Sequence, residues 1–468
     1  MVVAAEKTMN AVDRIARYAA SARFEDLDAL TLERARQTVL DTIGTTFGGY
    51  QTDLGRRAAA YAATVEPGDE ASIIADGRRS TVAGAAWANG VMSKHLGMDD
   101  SHRTAGHVAA EVVPIMFALG EQRRLTGRAV VTAMNVGYEV SNAIQPHVRR
   151  FQRERGLDQK GQSGTLMSAV VAAMLMGLDE AGIANALALA MDMASGTEQY
   201  VYDSGLCDTK DLLAGYAARN GIYAATLAEF GFRGPPGALD GPYGYFNALG
   251  DGYDPSHLDG LGTSRALALN GFKPHAGCRH VHAGVDAAQA ILAQGRPALD
   301  QIASIDIGSY KGAVTPDFRA DLQPQTLSIA GFSLPTAVAV TLVRGGWYRE
   351  DIEHFADADV RRLLAVTTVG LDEAIEADYP AKNGCVVRLT MRDGRVLEGR
   401  VEYAKGEAEN MLSAEEFEAK FRRLVGDALS SDAIARILAT CAEFETLDDI
   451  GDLVRLAAPT RAGAGAPS

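Results

Sequence analysis

The chain is 468 residues long, 47% hydrophobic and 22% charged, which fits a globular protein with ample apolar material for a large core. That length exceeds what one hydrophobic core usually supports, so two domains are expected. A net charge of −15 argues against a nucleic-acid binder, which would present a basic face, but leaves anionic small molecules open because a pocket can be locally basic.

Cys207, Cys278, Cys385 and Cys441 are far apart and form no CxxC pair. A disulfide framework or a thiolate zinc site is not expected, and a reducing compartment is. The N-terminus, MVVAAEKTMNAVDRIARYAA, carries early charges and reads as an amphipathic helix, not a signal peptide. No apolar run reaches the length of a membrane span. A soluble cytoplasmic protein with neither a membrane nor a nucleic-acid partner is expected.

From about Ala11 to Glu229 apolar residues recur at helical spacing, as in AAEVVPIMFALGEQRRL and AGIANALALAMDMASG. ASIIADGRRS is a strand-like break with a turn at Asp76-Gly77. A polar stretch, GMDDSHRTAGH, interrupts the apolar pattern from Gly97 to His107. A long helix is predicted over Asp211 to Phe230, just after Lys210. A Gly/Pro-rich loop, Arg233 to Gly244, follows, and then the texture changes.

Ile302 to Gly308 alternates like a strand, and Cys385 to Tyr403 reads as a hairpin turning at Asp393-Gly394. Helical segments are predicted around Pro335 to Leu342 and Asp357 to Val366. Ser413 to Leu438 returns to an amphipathic helical pattern that can pack back on the N-terminal body. The predicted fold class is mostly α with a smaller α+β domain. Residues 1–268 and 405–458 form a discontinuous helical domain, 269–404 the α+β domain, and 459–468 a disordered tail.

Nucleotide motifs are missing. There is no GxxxxGK[ST], GLGTSR at Gly260 lacks the third glycine of GxGxxG, and GQSGT at Gly161 is not a GxSxG elbow. Nicotinamide, flavin and ATP chemistry are therefore disfavoured.

Two polar clusters carry the chemistry. The first crowds Asp99, Asp100, His102, Arg103 and His107 into eleven residues, which is costly unless they react or satisfy one another. His107 suits a general base oriented by Asp99 or Asp100. The competing reading is an aspartate capping the helix that starts near Ala109. His102 and Arg103 fit a substrate site or a solvated loop equally well, and nearby His95 reads as a supporting or core histidine.

The second cluster, KPHAGCRHVH, places Lys273, His275, Arg279, His280 and His282 around Cys278. This basic patch suits a substrate with several carboxylates. Cys278 is either a nucleophile or, more commonly, a small buried thiol. Lys210 sits where the helix dipole disfavours a cation, which supports a role as carboxylate clamp or proton carrier. Asp100, His102, His107, His280 and His282 could supply a metal site, but their spacing matches no motif such as HExxH, and none is predicted.

Several stretches together resemble the MmgE/PrpD family. These are NGVMSKHLGMDDSHRTAGH (Asn89 to His107), GRAVVTAMNVGYEV (Gly127 to Val140) and KDLLAGYAARNGIYAATLAEFGFRGP (Lys210 to Pro235). GFKPHAGCRHVHAGVDAA (Gly271 to Ala288), FSLPTAVAVTLVRGG (Phe332 to Gly346) and YAKGEAENMLSAEEFEAKFRRL (Tyr403 to Leu424) continue the pattern in order. The family includes 2-methylcitrate dehydratases, cis-aconitate decarboxylases and iminodisuccinate epimerases.

The resemblance implies a cofactor-independent homodimer with its site between a large helical domain and a smaller α+β domain. Its functional positions carry over to Asp99, Asp100, Ser101 and His107, to Lys210, and to the Lys273–His282 loop. This chain departs from the family in having Gly97 where an aspartate is common and Ser101 where threonine is usual. Cys278 stands where the decarboxylase branch has its histidine, so His275, His280 or His282 must take that role.

The expected activity is that of a hydro-lyase, resembling 2-methylcitrate dehydratase, on a small hydroxy di- or tricarboxylate. His107 removes the α-proton, His275 or His282 works on the opposite face, and Lys210, Lys273, Arg103 or Arg279 hold carboxylates. Ser101, His102, Cys278 and His280 complete the substrate site. An epimerase or a decarboxylase would use the same carbanion chemistry. A metal-dependent hydrolase and a non-catalytic carboxylate-binding protein are the alternatives from other classes.

Overall fold

The computed structural model describes residues 9–201 and 207–458. The expectations for residues 1–8 and for the 459–468 tail lie outside these. The described residues are mostly helical, with one four-stranded sheet and two short two-stranded ones among them. Among the described residues no helix is long and apolar enough to cross a membrane.

The helical body begins with α1 (Ala11–Ser21), α2 (Ala29–Tyr50) and α3 (Asp53–Val65). Asn10, Asp28 and Thr52 cap them, each side chain accepting a backbone N–H of the first turn. The predicted break at Asp76-Gly77 is a hairpin of β1 (Ala71–Ser72) and β2 (Arg79–Ser80), with Gly77 at φ +81°. Then come α4 (Val82–His95), β3 (Asp100–Ser101), α5 (Ala109–Arg123), α6 (Gly127–Arg155), α7 (Thr165–Leu175), α8 (Glu180–Ala190) and α9 (Thr209–Glu229).

Helices α4, α5 and α7 are buried nearly all round, as their Ala- and Val-rich sequences require. Small residues set how closely they cross. A Cβ added to Gly90 of α4 would lie 3.1 Å from the Cα of Gly215 in α9, so the two backbones nearly touch there.

The predicted helix over Ser413 to Leu438 is two helices, Ala414–Val425 and Ser431–Ala442. Gly426, at φ +54°, ends the first, and the Ser430 side chain caps the second. Phe421, Val425, Ile437, Cys441 and Phe444 share one hydrophobic cluster with Val39, Ile43 and Phe47 of α2. The end of the chain therefore completes the core its beginning started. Lys420 also donates to the Asp41 carboxylate of α2 and, at 2.7 Å, to the carbonyl of Met98.

Past a short helix α10 (Tyr245–Leu249) lie β4 (Gly271–Phe272) and α11 (Arg279–Ala293). The sheet runs in the order β6–β5–β7–β8, from β5 (Ile302–Ser309), β6 (Thr367–Leu371), β7 (Cys385–Met391) and β8 (Val396–Val401). The expected hairpin is β7–β8, with Gly394 at φ +88°. Strand β6 was not anticipated. It pairs in parallel with β5, Ile305 opposite Thr367, but only Thr367 is buried, so it shows no alternation to read.

Helices α11 and Leu334–Arg344 belong with this sheet in a second cluster that includes Val285, Ile291, Val338, Leu389 and Trp347. Met98 and Leu424 from the helical body join that cluster. Strand β3 pairs with β4, Asp100 opposite Phe272 and Ser101 opposite Gly271. The two polar clusters of the sequence are thereby stitched side by side.

Candidate active site

Gly97 opens the first loop at φ +65°, and a Cβ there would lie 2.8 Å from the backbone N of Gly277. Glycine at this position thus has two physical causes, a left-handed backbone and direct contact with the second loop. Asp99 is buried at the base of the loop. Its Oδ2 accepts from Lys94 Nζ and its Oδ1 from Lys273 Nζ, each at 2.7 Å. Burial would raise its pKa, but the two ammonium groups and His107 override this and hold it well below the usual carboxylate range.

His107 Nδ1 lies 3.0 Å from Asp99 Oδ2 and 2.8 Å from the carbonyl oxygen of Asp100. Both are acceptors, so Nδ1 carries the proton and Nε2 keeps its lone pair. Burial, then the charge of Lys94, push the imidazole pKa down to about 3. His107 is therefore a neutral imidazole on the wall of a cavity of about 290 Å³. An anionic ligand placed beside it would raise its proton affinity.

Asp100 does not orient the ring through its side chain. Its Oδ2 accepts from the Tyr138 hydroxyl at 2.7 Å, and burial, then the Asp99 charge, raise its pKa. Ser101, in β3, lines the cavity. His102 Nδ1 accepts the N–H groups of Thr104, at 3.1 Å, and Ala105, at 2.8 Å, so its proton is on Nε2. Burial, then Arg279 and Arg103, lower its pKa to about 3. It shapes the turn as a fixed neutral ring.

Lys210 lies in the first turn of α9 and lines the cavity. Its Nζ is 3.7 Å from Asp211 Oδ1 and 5.4 Å from the centre of the Phe332 ring. His95 Nδ1 sits 2.8 Å from the other oxygen of Asp211. His95 thus supports the residue beside Lys210, in line with its reading as a supporting histidine.

In the second loop the structure divides the candidates. Lys273, Cys278, Arg279 and His280 line the cavity. Burial raises the Cys278 thiol pKa, which removes the thiolate a nucleophile would need. His280 Nδ1 is 2.5 Å from the Tyr310 hydroxyl. His275 and His282, expected to face the substrate, pack into the interior of the small domain instead. His275 Nε2 is 2.8 Å from Asp286 Oδ1, and its ring centre is 5.4 Å from that of His282. Burial, then His275, push the His282 pKa far down. For His282 the cause is periodicity: α11 starts at Arg279, and position 282 falls on the face that also buries Val281 and Val285.

Several lining residues escaped the sequence reading. Lys94 left a faint signal, in the last turn of α4 just before the acidic pair. Lys160 left none. It opens a π-helical turn, Lys160–Gly164, and donates to Asp158 Oδ2 at 2.7 Å, which also accepts from the Tyr200 hydroxyl at 2.7 Å. Such turns often mark functional sites.

Asp99, Asp100 and His107 bring one potential metal ligand each within 4.8 Å of one another. The donor set does not fit a cation, because Lys94 and Lys273 already occupy both oxygens of Asp99. A divalent ion would sit against two ammonium groups.

Residues 13–258 match the MmgE/PrpD N-terminal domain, and residues 275–444 match the MmgE/PrpD C-terminal domain. The chain is 26% identical over 461 residues to a cis-aconitate decarboxylase of Homo sapiens, covering 91% of this chain and 90% of that protein. It is 25% identical over 467 residues to one of Aspergillus terreus, covering 94% of each.

Proposed function

The chain belongs to the MmgE/PrpD family, and from that premise we propose that it is a lyase of small polycarboxylates. It removes a proton α to a carboxylate and expels water from the neighbouring carbon. One observation carries this reading: His107 presents an unprotonated Nε2 to a cavity rimmed by cations, with Nδ1–H anchored on Asp99. Elimination of water starts with proton removal, which needs such a base. Decarboxylation ends with proton delivery to carbon, which needs an acid.

In the proposed step the C–H bond breaks, its proton goes to His107 Nε2, and its electron pair moves onto the substrate carboxylate. Lys273 and Lys210 stabilise that charge. The electron pair then returns to form the C=C bond as the C–O bond on the next carbon breaks, and the departing hydroxide takes a proton from protonated His280, which is left neutral beside the Tyr310 hydroxyl.

Decarboxylation is the second reading, supported by the names of the relatives and by the 91–94% of this chain they cover. There the bond broken is C–C, CO₂ leaves, and His107 must first gain a proton. NMR of a panel of hydroxy and unsaturated di- and tricarboxylates, incubated with the enzyme in D₂O, tests the proposal. An alkene formed with all carbons retained supports dehydration. Release of CO₂ with deuterium at the carbon it left supports decarboxylation. Neither turnover nor deuterium exchange across the panel overturns the lyase reading.

A further inference from the structure

The two basic walls of the cavity are balanced differently. On one, a single carboxylate, Asp99, serves two ammonium groups, Lys94 and Lys273. Burial lowers the Lys94 pKa to about 7, so with His107 neutral that wall keeps an excess positive charge once Lys94 is protonated, which a carboxylate beside it favours. On the other, Arg103 and Arg279 line both this cavity and an adjoining one of about 180 Å³ on their far side.

Glu407 reaches the arginines from that second cavity. Its Oε2 accepts from Arg103 at 3.1 Å, and its Oε1 accepts from Arg279 at 3.3 Å and from Asn383 at 2.9 Å. Glu409 gives Arg103 another carboxylate at 3.0 Å. Two guanidinium groups thus meet two carboxylates, and this wall has no excess charge. Lys160 is likewise matched by Asp158. Arg149 and Glu198, which also line the cavity, carry opposite charges.

We propose that Glu407 is a specificity-determining residue: it holds the arginine pair from behind, so that the site accepts a dicarboxylate and turns away a third carboxylate. This rests on the carboxylate reading given above. Two substrate carboxylates meet Lys94 and Lys273, which share one carboxylate, and Lys210, whose nearest carboxylate oxygen among the described residues, on Asp211, is 3.7 Å away. A third must face guanidinium groups that are already neutralised, with the Glu407 charge behind them. It gives up its hydration without gaining an unpaired cation. Glu407 is itself buried, 8% exposed, so it cannot turn away into solvent to make room.

The test is calorimetric binding of succinate and tricarballylate, which differ by one carboxymethyl arm, to the full-length protein and to Glu407→Gln. The wild type should bind succinate more tightly. Glu407→Gln keeps the side-chain shape but frees one positive charge, and should move the ratio toward tricarballylate by about tenfold. Glu409→Gln, whose parent side chain is 39% exposed, should move it the same way by about twofold. If Glu407→Gln fails to fold, Glu409→Gln decides alone. An unchanged ratio in the folded variants, or a wild type that already prefers tricarballylate tenfold, overturns the role of Glu407. If neither acid binds any of the proteins, the carboxylate reading itself falls.

Discussion

The Gly97–His107 and Lys273–His282 loops are alike in composition and opposite in use. Each packs two or three histidines and one or two basic residues into about ten residues, and β3 and β4 hold them side by side. The first is an irregular loop whose geometry is set by what it touches, and its His107 ends on Asp99 with Nε2 to the cavity. The second runs into α11, whose periodicity turns His282 inward and leaves Cys278, Arg279 and His280 on the cavity wall. A histidine's role in this molecule follows from backbone regularity around it more than from its polar neighbours.

The contrast breaks most directly at the histidines. His107→Ala should cut kcat roughly 10²–10⁴-fold, the usual worth of one proton transfer, with little change in Tm. His282→Ala should do the reverse: kcat within a few-fold of wild type, but stability lower by about 1–3 kcal/mol from the cavity left behind. Steady-state kinetics and thermal unfolding on both variants check this, and equal kinetic losses would erase the distinction.

Asp99→Asn comes next. It leaves Lys94 and Lys273 without their shared carboxylate and His107 without its anchor, so both readouts should fall. Breaking such a buried pair typically costs about 3–5 kcal/mol. A variant with unchanged unfolding and a normal kcat would show that Asp99 neither orients the base nor balances the lysines. Gly97→Ala should cost less, about 1–3 kcal/mol, because any Cβ is strained at φ +65° and meets Gly277. Its readout is Tm together with a raised KM, since the two loops are pressed apart.

A pH dependence, negligible at neutral pH, is the most gradual effect. His102 has a folded-state pKa of about 3, below the roughly 6.5 of an unfolded chain. The unfolded chain therefore binds the extra proton first, and stability rises with pH between about 3 and 6.5. Each unit below that upper limit costs about 1.4 kcal/mol from this residue. His102→Asn keeps an acceptor near the Nδ1 position without titrating, so its stability should fall less steeply than wild type as pH drops from 6.5. Parallel denaturation curves for the two proteins would remove His102 from the linkage.

Much of this was legible in the chain itself. The long periodic helices, the Asp393-Gly394 hairpin and the shift from helical to mixed texture report local geometry, and local geometry is what periodicity encodes. His107, Lys210, Lys273 and Arg279, which line the cavity, were legible as candidates because each stands out chemically from its surroundings. Three things were not. Strand β6 has too little burial to alternate, and the break at Gly426 hides in a pattern that resumes in phase. Lys160 is drawn to the cavity only by tertiary packing, through a π turn whose sequence looks like an ordinary loop. The choice among His275, His280 and His282 depended on where α11 begins, and helix starts are the least certain part of a sequence reading.

The tautomer of His107 is the pivot, because a neutral ring with its proton on Nδ1 is what makes it a base toward the cavity. Histidine-selective ¹⁵N labelling, with the His107 resonances assigned by their loss in His107→Gln, reads it directly. The expected result is a protonated Nδ1, a bare Nε2 and no titration between pH 8 and pH 5, consistent with a pKa pushed down to about 3. A proton on Nε2, or titration to the doubly protonated ring near the ordinary histidine value, would contradict it.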